Sequence, residues 1–288
     1  MPFLLAATWK TAMPEVERSY HLFAARRISA EDAVERVCMH VEDNEDDNSV
    51  GYGGLPNSEG EMELDGAFME GRALRIGAVG ALRGFRHPVS VARRVMTDTE
   101  HNLIAGEGAR ILAEKWGFEQ RDMLSPTAKA AYDKHLTDIA EGEANHDTVC
   151  VIALDGEGHF AIGASTSGVR YKLPGRLSDT ILPGCGFYCD DELGAAVATG
   201  LGEDIMRGTL AIKALMYHKA GYDPAAATAQ AIADLINRVE PCGDVAVMLV
   251  SRDGRLGGAD NHGRFTMSSA GGLLPIGIYP AQHIKPNT

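Results

Sequence analysis

Long apolar runs and positive charge are both scarce in this chain of 288 residues. The longest apolar runs, residues 149–154 and 245–250, have six residues each, whereas a membrane-spanning helix needs roughly 20. Lysine and arginine number 27 against 40 aspartates and glutamates, which gives a formal net charge of −13. Because no basic patch is present to meet a phosphate backbone, the composition argues against nucleic acid as a partner, and the short runs argue against a membrane.

Cysteine is scarce as well, and the usual cofactor motifs are missing. Five cysteines, spread thinly, do not form a disulfide framework, and no N-x-S/T glycosylation site occurs. Cys185 and Cys189 have three residues between them where zinc pairs usually have two, and His262 stands alone in a loop. Neither a P-loop nor a complete dinucleotide fingerprint is present, so we expect no metal and no other cofactor. The N-terminal MPFLLAATWK lacks the basic start of a secretory signal, which predicts a cytoplasmic protein.

Helical and strand patterns alternate along the chain. Apolar residues recur at helical spacing over residues 15–42, where Ser29 and Asp32 form a capping-box pattern. The glycine-rich stretch 65–80 is typical of short, broken strands, and residues 119–147, which lack apolar periodicity, are interpreted as an exposed linker. The remaining predicted elements are helices over 88–95, 107–116, 203–220 and 223–239, and strands over 149–154, 160–165, 245–251 and 256–259. We expect the last two strands to close the chain, and the pattern predicts one layered α+β domain over residues 1–288.

The tripeptide His146-Asp147-Thr148 lies where the linker ends and a buried strand begins. A threonine hydroxyl is a weak nucleophile until a base takes its proton. If the bond before Thr148 were cut, its free α-amino group, with a pKa of about 7.7 to 8.0, could act as that base. One residue would then supply both nucleophile and base. Alone, the tripeptide is also typical of a turn before a strand. A serine hydrolase is a weaker alternative, because GASTS at 163–167 nearly matches the G-x-S-x-G motif of α/β hydrolases.

The sequence on both sides of this tripeptide resembles a known family. Residues 146–203 resemble the start of the β-subunit in the glycosylasparaginase (aspartylglucosaminidase) branch of the N-terminal nucleophile hydrolases, in the asparaginase 2 family. Upstream, five blocks are similar to that family's α-subunit in the same order: TWKT, DNSVGYGG, LDGAFMEG, IGAVGALRG and VARRVM. Plant-type asparaginases and isoaspartyl peptidases usually read GT where this chain has Asp147-Thr148, so the aspartate favours the glycosylasparaginase branch.

The resemblance implies a fold and a reaction. The fold would be a four-layer αββα sandwich, processed into an α-subunit of residues 1–147 and a β-subunit of residues 148–288. His146 and Asp147 would assist that cleavage, and Thr148 would be the nucleophile in it. The same hydroxyl would then attack the β-amide of an N4-substituted asparagine. The family also implies a dimer of αβ units and a small substrate with free aspartyl α-amino and α-carboxylate groups.

Further catalytic residues follow from the same resemblance. Thr166, in the STSG block, would lie beside Thr148 and tune its hydroxyl and amine. Thr199 and Gly200, in the VATGLG block, resemble the oxyanion hole of the family, in which a hydroxyl and a backbone N–H stabilise the negative charge of the transition state.

The substrate-binding residues are implied in the same way. Arg176 and Asp179 would hold the α-carboxylate and the α-ammonium of the substrate, contacts that suit a guanidinium and a carboxylate. Trp9 would form a wall of the site, Ser49 would support it from behind, and Gly202 would let the substrate approach the backbone. Without the family, Arg176 and Asp179 could be a surface ion pair and Trp9 a core residue.

One departure from the family affects the leaving group. The family usually has an aromatic residue two positions after Trp9, and this chain has Thr11 there. A smaller, polar residue leaves room for a β-aspartyl peptide or plain asparagine as substrate. One alternative is therefore another enzyme on the same scaffold, a β-aspartyl peptidase or asparaginase. The other alternative is not an enzyme but a homologue that binds a ligand and never cleaves itself.

Overall fold

The structure, a computed structural model, describes residues 1–137 and 148–286. Its strands are β1 (Leu4–Thr8), β2 (Leu64–Glu70), β3 (Ile76–Leu82), β4 (Leu103–Ala105), β5 (Val149–Leu154), β6 (Phe160–Thr166), β7 (Phe187–Asp190), β8 (Gly194–Gly200), β9 (Val245–Val250), β10 (Leu256–Asp260), β11 (Thr266–Gly271), β12 (Gly277–Pro280) and β13 (Gln282–His283). Its α-helices are α1 (Met13–Ala24), α2 (Ala30–Glu42), α3 (Pro88–Asp98), α4 (Glu107–Lys115), α5 (Pro126–Thr137), α6 (Gly202–Gly208), α7 (Leu210–Lys219) and α8 (Pro224–Ile236). The predicted α+β class is confirmed.

The strands form two sheets. The large sheet has eight strands in the order β12-β11-β1-β5-β6-β2-β3-β4, and the small sheet has five in the order β13-β10-β9-β8-β7. At the centre of the large sheet β5 pairs antiparallel with both neighbours, so that Ile152 lies between Ala6 of β1 and Ile162 of β6. Strand β5 also packs against β8 of the small sheet. The residue that precedes β5 is therefore placed where the two sheets meet.

Side chains alternate between separate apolar clusters along the central strands. On β5, Val149 and Val151 pack with helices α1 to α3, whereas Cys150 and Ile152 pack against the small sheet. The side chains of β9 alternate in the same way: one set lies between the two sheets, and the other packs against α7 and α8. A strand that is covered on both faces needs apolar residues at every position. This explains the two continuous apolar runs in the sequence.

Two predicted helices are each split in the structure. The helix expected over 15–42 breaks before Ser29, where Arg26 has a left-handed φ of 56°, and the one expected over 203–220 breaks at Thr209, with φ of 46°. The predicted capping box is confirmed, because Ser29 accepts from the Asp32 N–H and the Asp32 carboxylate accepts from the Ser29 N–H. Ordinary residues visit left-handed φ only rarely, so apolar spacing alone does not predict such breaks.

Of the glycines expected to break strands between residues 65 and 80, Gly71 does follow the end of β2, whereas Gly66, Gly77 and Gly80 lie inside β2 and β3. A Cβ at Gly66 would lie 2.6 Å from the Pro88 carbonyl carbon, and one at Gly77 would lie 2.0 Å from the Ala92 oxygen. Both contacts are with helix α3. Glycine is therefore needed here because the helix backbone lies directly on the sheet.

The last two predicted strands do not close the chain, since β11, β12 and β13 follow them. The expected linker 119–147 contains helix α5, which buries only Ala128 of its side chains; a helix with so small a buried face gives no apolar periodicity. The end of the linker lies outside the described residues. Within the described ranges, no helix has both the length and the apolar character that crossing a bilayer requires.

Phe187→Ala should destabilise the fold by about 3 to 5 kcal/mol, because it leaves a cavity between the sheets. Phe187 is fully buried on β7 and packs with residues of both sheets. Urea unfolding followed by circular dichroism measures the change. Leu173→Ala, at a side chain that is 74% exposed, is the control and should cost less than about 0.5 kcal/mol. Equal losses for the two variants would contradict this account of the core.

Candidate active site

Thr148 occupies the junction of the two sheets, directly before β5, and is buried. Its carbonyl oxygen accepts a hydrogen bond of 2.7 Å from the hydroxyl of Thr8 at the end of β1. The same hydroxyl accepts from the Cys150 N–H at 2.9 Å. Thr8 therefore holds the backbone from Thr148 to Cys150 at the start of β5. This sets the direction in which the Thr148 side chain points.

Two other threonine hydroxyls contact Thr148. Its backbone N–H donates to Oγ1 of Thr199 at 2.9 Å. Its own Oγ1 lies 3.4 Å from Oγ1 of Thr180. Thr199 comes from β8 of the small sheet and Thr180 from a 3-10 turn over Asp179–Ile181, and both are fully buried. The nitrogen and the oxygen that an N-terminal threonine would use as base and nucleophile thus each meet a hydroxyl.

Thr166 lies across the sheet from Thr148. Val149 pairs with Ser165 in antiparallel register, so Thr148 and Thr166 form the next opposed pair, and such residues have Cα atoms about 4.5 to 5.5 Å apart. The Thr166 hydroxyl accepts from the Gly168 N–H at 2.9 Å and donates to the Ser49 carbonyl at 3.3 Å. The structure therefore brings the expected neighbour to Thr148.

Ser49 supports this segment mainly through its backbone. Its carbonyl also accepts from the N–H and the hydroxyl of Ser167, at 2.8 and 2.9 Å. The Ser49 hydroxyl points the other way and donates to Asp47 at 2.7 Å. Burial raises the pKa of the Asp47 carboxyl. The predicted supporting position is thus occupied, with the carbonyl rather than the hydroxyl in contact with the β6 segment.

Arg176 and Asp179 lie together, but Arg176 forms its paired hydrogen bonds with a third residue. Its Nε and Nη2 donate to the two oxygens of Glu203 at 2.9 and 2.8 Å. The Arg176 side chain is 15% exposed and that of Glu203 is 49% exposed. The guanidinium is therefore held by a carboxylate whose side chain is more exposed than its own.

Asp179 is fully enclosed, and its Oδ2 has no hydrogen-bond partner among the residues that the structure describes. Burial raises the pKa of this carboxyl to about 7, and the Arg176 charge opposes the shift. A buried acceptor without a donor costs free energy. A cation brought next to Asp179 would supply the missing donor and favour the charged carboxylate.

Gly200, the last residue of β8, and Gly202, the first residue of α6, both lie where a side chain would collide with neighbouring atoms. A Cβ at Gly202 would lie 2.7 Å from both Arg176 Nη2 and Asp179 Oδ1. Gly200 has a φ of +123°, and a Cβ there would lie 2.2 Å from the Asp244 oxygen. Glycine at 202 thus lets the backbone pack directly against the Arg176 and Asp179 side chains, and glycine at 200 lets the backbone turn directly after Thr199.

Trp9 follows Thr8 and is half-buried in a strained conformation, with φ of 62°. Its ring stacks on His262 with centroids 6.3 Å apart and meets the edge of Phe265 at 5.1 Å. Its Nε1 is buried and has no partner in the described part of the chain. Burial lowers the pKa of His262, so the stacked imidazole is neutral. Thr11 is exposed two residues later.

Three contributors were missed by sequence reasoning: Thr8, Thr180 and Asp65. Asp65 is fully buried on β2, where its Oδ1 accepts from the Ala81 N–H at 2.8 Å. Its Oδ2 accepts from the N–H and the hydroxyl of Ser178 at 2.9 and 2.7 Å, which fixes the residue before Asp179. An aspartate near the start of the otherwise mostly apolar strand LDGAFME was a usable signal for Asp65, whereas nothing near Thr8 or Thr180 in the sequence indicates contact with Thr148.

His146 and Asp147, expected to assist cleavage, lie outside the described residues. Cys185 and Cys189, like the other three cysteines, are free thiols. In the described ranges, no three histidine, cysteine or acidic side chains are arranged so that they could hold a metal ion. The Nδ1 of His262 accepts from the Arg264 N–H at 3.2 Å, a structural contact of the kind expected for it.

Comparison with known proteins identifies the chain as an amide hydrolase by family. A family model described as Asparaginase matches residues 10–271. That match spans most of the sequence, so the chain belongs to the asparaginase family, and the resemblance drawn from its motifs is confirmed.

Three relatives share the name N(4)-(beta-N-acetylglucosaminyl)-L-asparaginase. The protein of that name from Mus musculus is 34% identical over 268 residues, which cover 81% of this chain and 77% of the relative. The protein from Rattus norvegicus is 33% identical over 267 residues, with the same coverage of 81% and 77%. The protein from Elizabethkingia miricola is 37% identical over 215 residues, which cover 72% of this chain and 62% of the relative.

Asp179→Asn should stabilise the fold near neutral pH and above. The pKa of the Asp179 carboxyl is raised from 3.8 to about 7 in the folded chain. Between these values the unfolded chain has released the proton while the folded chain still holds it, so wild-type stability falls as the pH rises through this window. An amide removes this penalty, and each pKa unit is worth about 1.4 kcal/mol.

Urea unfolding between about pH 4 and pH 8 tests this pH dependence. The stability difference between Asp179→Asn and wild type should grow from acid to neutral pH and then level off. Asp46→Asn, at an exposed carboxylate, is the control and should change stability by less than about 0.5 kcal/mol throughout. A difference for Asp179→Asn that is constant across the range would refute the raised pKa as its cause.

Proposed function

We propose that the chain is an N-terminal threonine amidohydrolase that cuts itself before Thr148 and then hydrolyses the β-amide of N4-substituted asparagine. One observation carries the proposal: Thr148 is buried between the sheets with its nitrogen 2.9 Å from the Thr199 hydroxyl and its Oγ1 3.4 Å from the Thr180 hydroxyl. The name of the mammalian and bacterial relatives supports the substrate class.

Self-cleavage is the first step of the proposal. The Thr148 oxygen attacks the Asp147 carbonyl carbon, the hydroxyl proton passes to the Thr148 nitrogen, and the carbon–nitrogen bond breaks to leave an ester. Water then hydrolyses this ester, giving an Asp147 carboxylate and a free Thr148 hydroxyl and amine. The Asp147 side chain serves as a base, and His146 supports it. The products are an α-subunit, residues 1–147, which includes the linker 119–147, and a β-subunit, residues 148–288.

Amide hydrolysis uses the new α-amine as the base. The amine takes the Thr148 hydroxyl proton while Oγ1 attacks the β-carbonyl carbon of the substrate. The resulting tetrahedral species collapses when the proton moves to the leaving nitrogen and the carbon–nitrogen bond breaks. A water molecule then hydrolyses the β-aspartyl ester and returns the proton to Thr148. Thr166, opposite Thr148 in the sheet, tunes the hydroxyl and the amine.

Thr199 and Gly200 stabilise the oxyanion in this scheme. The Thr199 oxygen accepts from the Thr148 nitrogen with a lone pair, so its own proton can be donated to the substrate oxygen. The Gly200 N–H follows directly in the chain, where a φ of +123° turns the backbone. One donor of this kind is worth roughly 3 to 4 kcal/mol of the barrier.

Substrate recognition follows from the buried charges beside Thr148. The α-ammonium of the substrate would supply the donor that Asp179 Oδ2 lacks among the described residues. The α-carboxylate would take the forked contact that Arg176 now makes with Glu203. Gly202 lies against both side chains without a Cβ, which would lie 2.7 Å from each of them and obstruct a substrate held there. Together the groups suit a free aspartyl end and disfavour an asparagine inside a peptide chain.

The leaving group would lie on the side of Trp9. Its indole stacks on His262 and keeps a buried Nε1–H that has no acceptor in the described residues. A sugar supplies both an apolar face for the ring and hydroxyl acceptors for the N–H. The exposed Thr11 favours a second candidate, a β-aspartyl peptidase or asparaginase, because the site then has no second aromatic wall.

We infer a larger architecture from the same relationship. The three apolar clusters would separate four layers in the order helices, large sheet, small sheet, helices, an αββα sandwich of the N-terminal nucleophile hydrolase type. Two αβ units would form a dimer in the cytoplasm, with no membrane or nucleic-acid partner and no cofactor.

Purified wild-type protein should divide into two fragments at the bond before Thr148. Intact-mass analysis and N-terminal sequencing measure this directly. Thr148→Ala should remain whole because it lacks the attacking oxygen, while Thr228→Val, at a buried threonine of α8, should divide like wild type. A wild-type chain that stays whole after long incubation would favour a homologue that binds without cleaving.

A substrate comparison on the processed protein decides the leaving group. We expect kcat/KM to be highest for N4-(β-N-acetylglucosaminyl)-asparagine, lower for a β-aspartyl dipeptide and lowest for asparagine, with release of aspartate, the product that all three share, as the readout. Cleavage of the β-aspartyl dipeptide or of asparagine, without cleavage of the glycosylated asparagine, would establish the second candidate in place of the first.

A further inference from the structure

Thr180 is the hydroxyl closest to the proposed nucleophile for which sequence and family give no role. It is fully buried, and its Oγ1 lies 3.4 Å from Oγ1 of Thr148. A buried hydroxyl normally has a hydrogen-bond partner, and the partner that the structure gives to Thr180 is the oxygen that would attack. Thr180 also follows Asp179 directly, so one short turn carries both the carboxylate for the ammonium and a hydroxyl for the nucleophile.

The turn that carries Thr180 is held from several sides. The Leu182 N–H donates to the Asp179 carbonyl at 2.9 Å and closes the turn. The buried Asp65 fixes Ser178 before it. A Cβ at Gly186 would lie 2.4 Å from the Asp179 oxygen, so this glycine admits the turn at close range. The Thr180 oxygen is therefore placed by rigid surroundings rather than by a mobile loop.

Chemistry assigns the donor in this pair. When the α-amine of Thr148 acts as the base, the Thr148 hydroxyl proton points toward that amine. Its oxygen then has lone pairs free to accept, and the Thr180 hydroxyl is the donor. A donor on the attacking oxygen holds one rotamer of Thr148 and stabilises the negative charge that grows on the oxygen as the proton leaves.

We propose that Thr180 is a positioning residue, whose hydroxyl donates to Thr148 Oγ1 and keeps that oxygen aimed at the carbonyl carbon. The role rests on the proposed function, because it acts through Thr148. The same oxygen attacks in self-cleavage and in substrate hydrolysis, so Thr180 serves both steps. It does not touch the α-carboxylate or the α-ammonium, so it affects turnover rather than binding.

The test compares Thr180→Val, which keeps the shape and removes the hydroxyl, with Thr180→Ser, which keeps the hydroxyl. Turnover of N4-(β-N-acetylglucosaminyl)-asparagine is measured per cleaved chain, with the cleaved fraction taken from intact mass. Thr180→Val should lower kcat by roughly ten- to a hundredfold, the scale of a reacting group misplaced by up to about 1 Å. KM should stay within about twofold of wild type. Thr180→Ser should recover most of kcat.

Thr228→Val is the matched control, since Thr228 is also fully buried and its hydroxyl donates to the Pro224 carbonyl at 3.0 Å. It should leave kcat unchanged. If Thr180→Val folds with wild-type thermal stability but does not cleave itself, while Thr180→Ser does, the role in the first step is supported.

Four results would overturn the proposal. Wild-type kcat in Thr180→Val would show that the hydroxyl is not needed. Equal losses in Thr180→Val and Thr180→Ser, or a loss that follows melting temperature, would make Thr180 a packing residue. In these three cases wild type still turns over substrate, so the proposed function survives. Wild-type protein without any amide hydrolysis would instead remove the proposed function, and the role of Thr180 with it.

Discussion

The site depends on one hydrogen bond that crosses between the sheets, from the Thr148 nitrogen to the Thr199 hydroxyl. Thr148 belongs to the large sheet and Thr199 to the small one, and apolar side chains fill the space between them. The spacing of the sheets is therefore set by packing, and this polar contact is possible only at that spacing. Thr199, which meets Thr148 from the small-sheet side, and Gly200 directly after it therefore both depend on this distance for their position relative to Thr148.

The polar groups around Thr148 lower the stability of the folded chain. Asp179 has a buried oxygen without a partner in the described residues, and burial raises its pKa to about 7. Trp9 combines a positive φ with a buried Nε1–H that has no partner in the described part of the chain. Strain and unmet hydrogen bonds of this kind can be retained where a ligand completes them. Asp179 adjoins Thr180 and Trp9 adjoins Thr8, and both of these threonines contact Thr148, so under the proposed function an aspartyl group and its substituent would supply the missing partners.

The sequence predicted those features that depend on short segments. The run 149–154 is a strand because a strand covered on both faces is apolar at every position, and Ser29 caps α2 because its hydroxyl reaches the Asp32 N–H. Motifs also led to Thr148, Thr199, Arg176 and Asp179, which the structure brings together. What could not be predicted depends on distant pairing. Thr8 and Thr180 reach Thr148 only because the fold brings distant segments together. The paired hydrogen bonds of Arg176 and Glu203 join residues 27 positions apart. The glycines inside β2 and β3 are explained only by the close packing of α3 on these strands.

The order of the large sheet has a consequence for the proposed cleavage of the bond before Thr148. From its β12 edge the sheet draws two strands from the later part of the chain, then β1 from the earlier part, then β5 and β6 from the later part, and finally β2, β3 and β4 from the earlier part. The two pieces are interleaved rather than side by side, and β5 stays hydrogen-bonded on both edges. A severed chain would thus remain a single body, and the new terminus could not drift from the groups that surround it unless the sheet itself came apart.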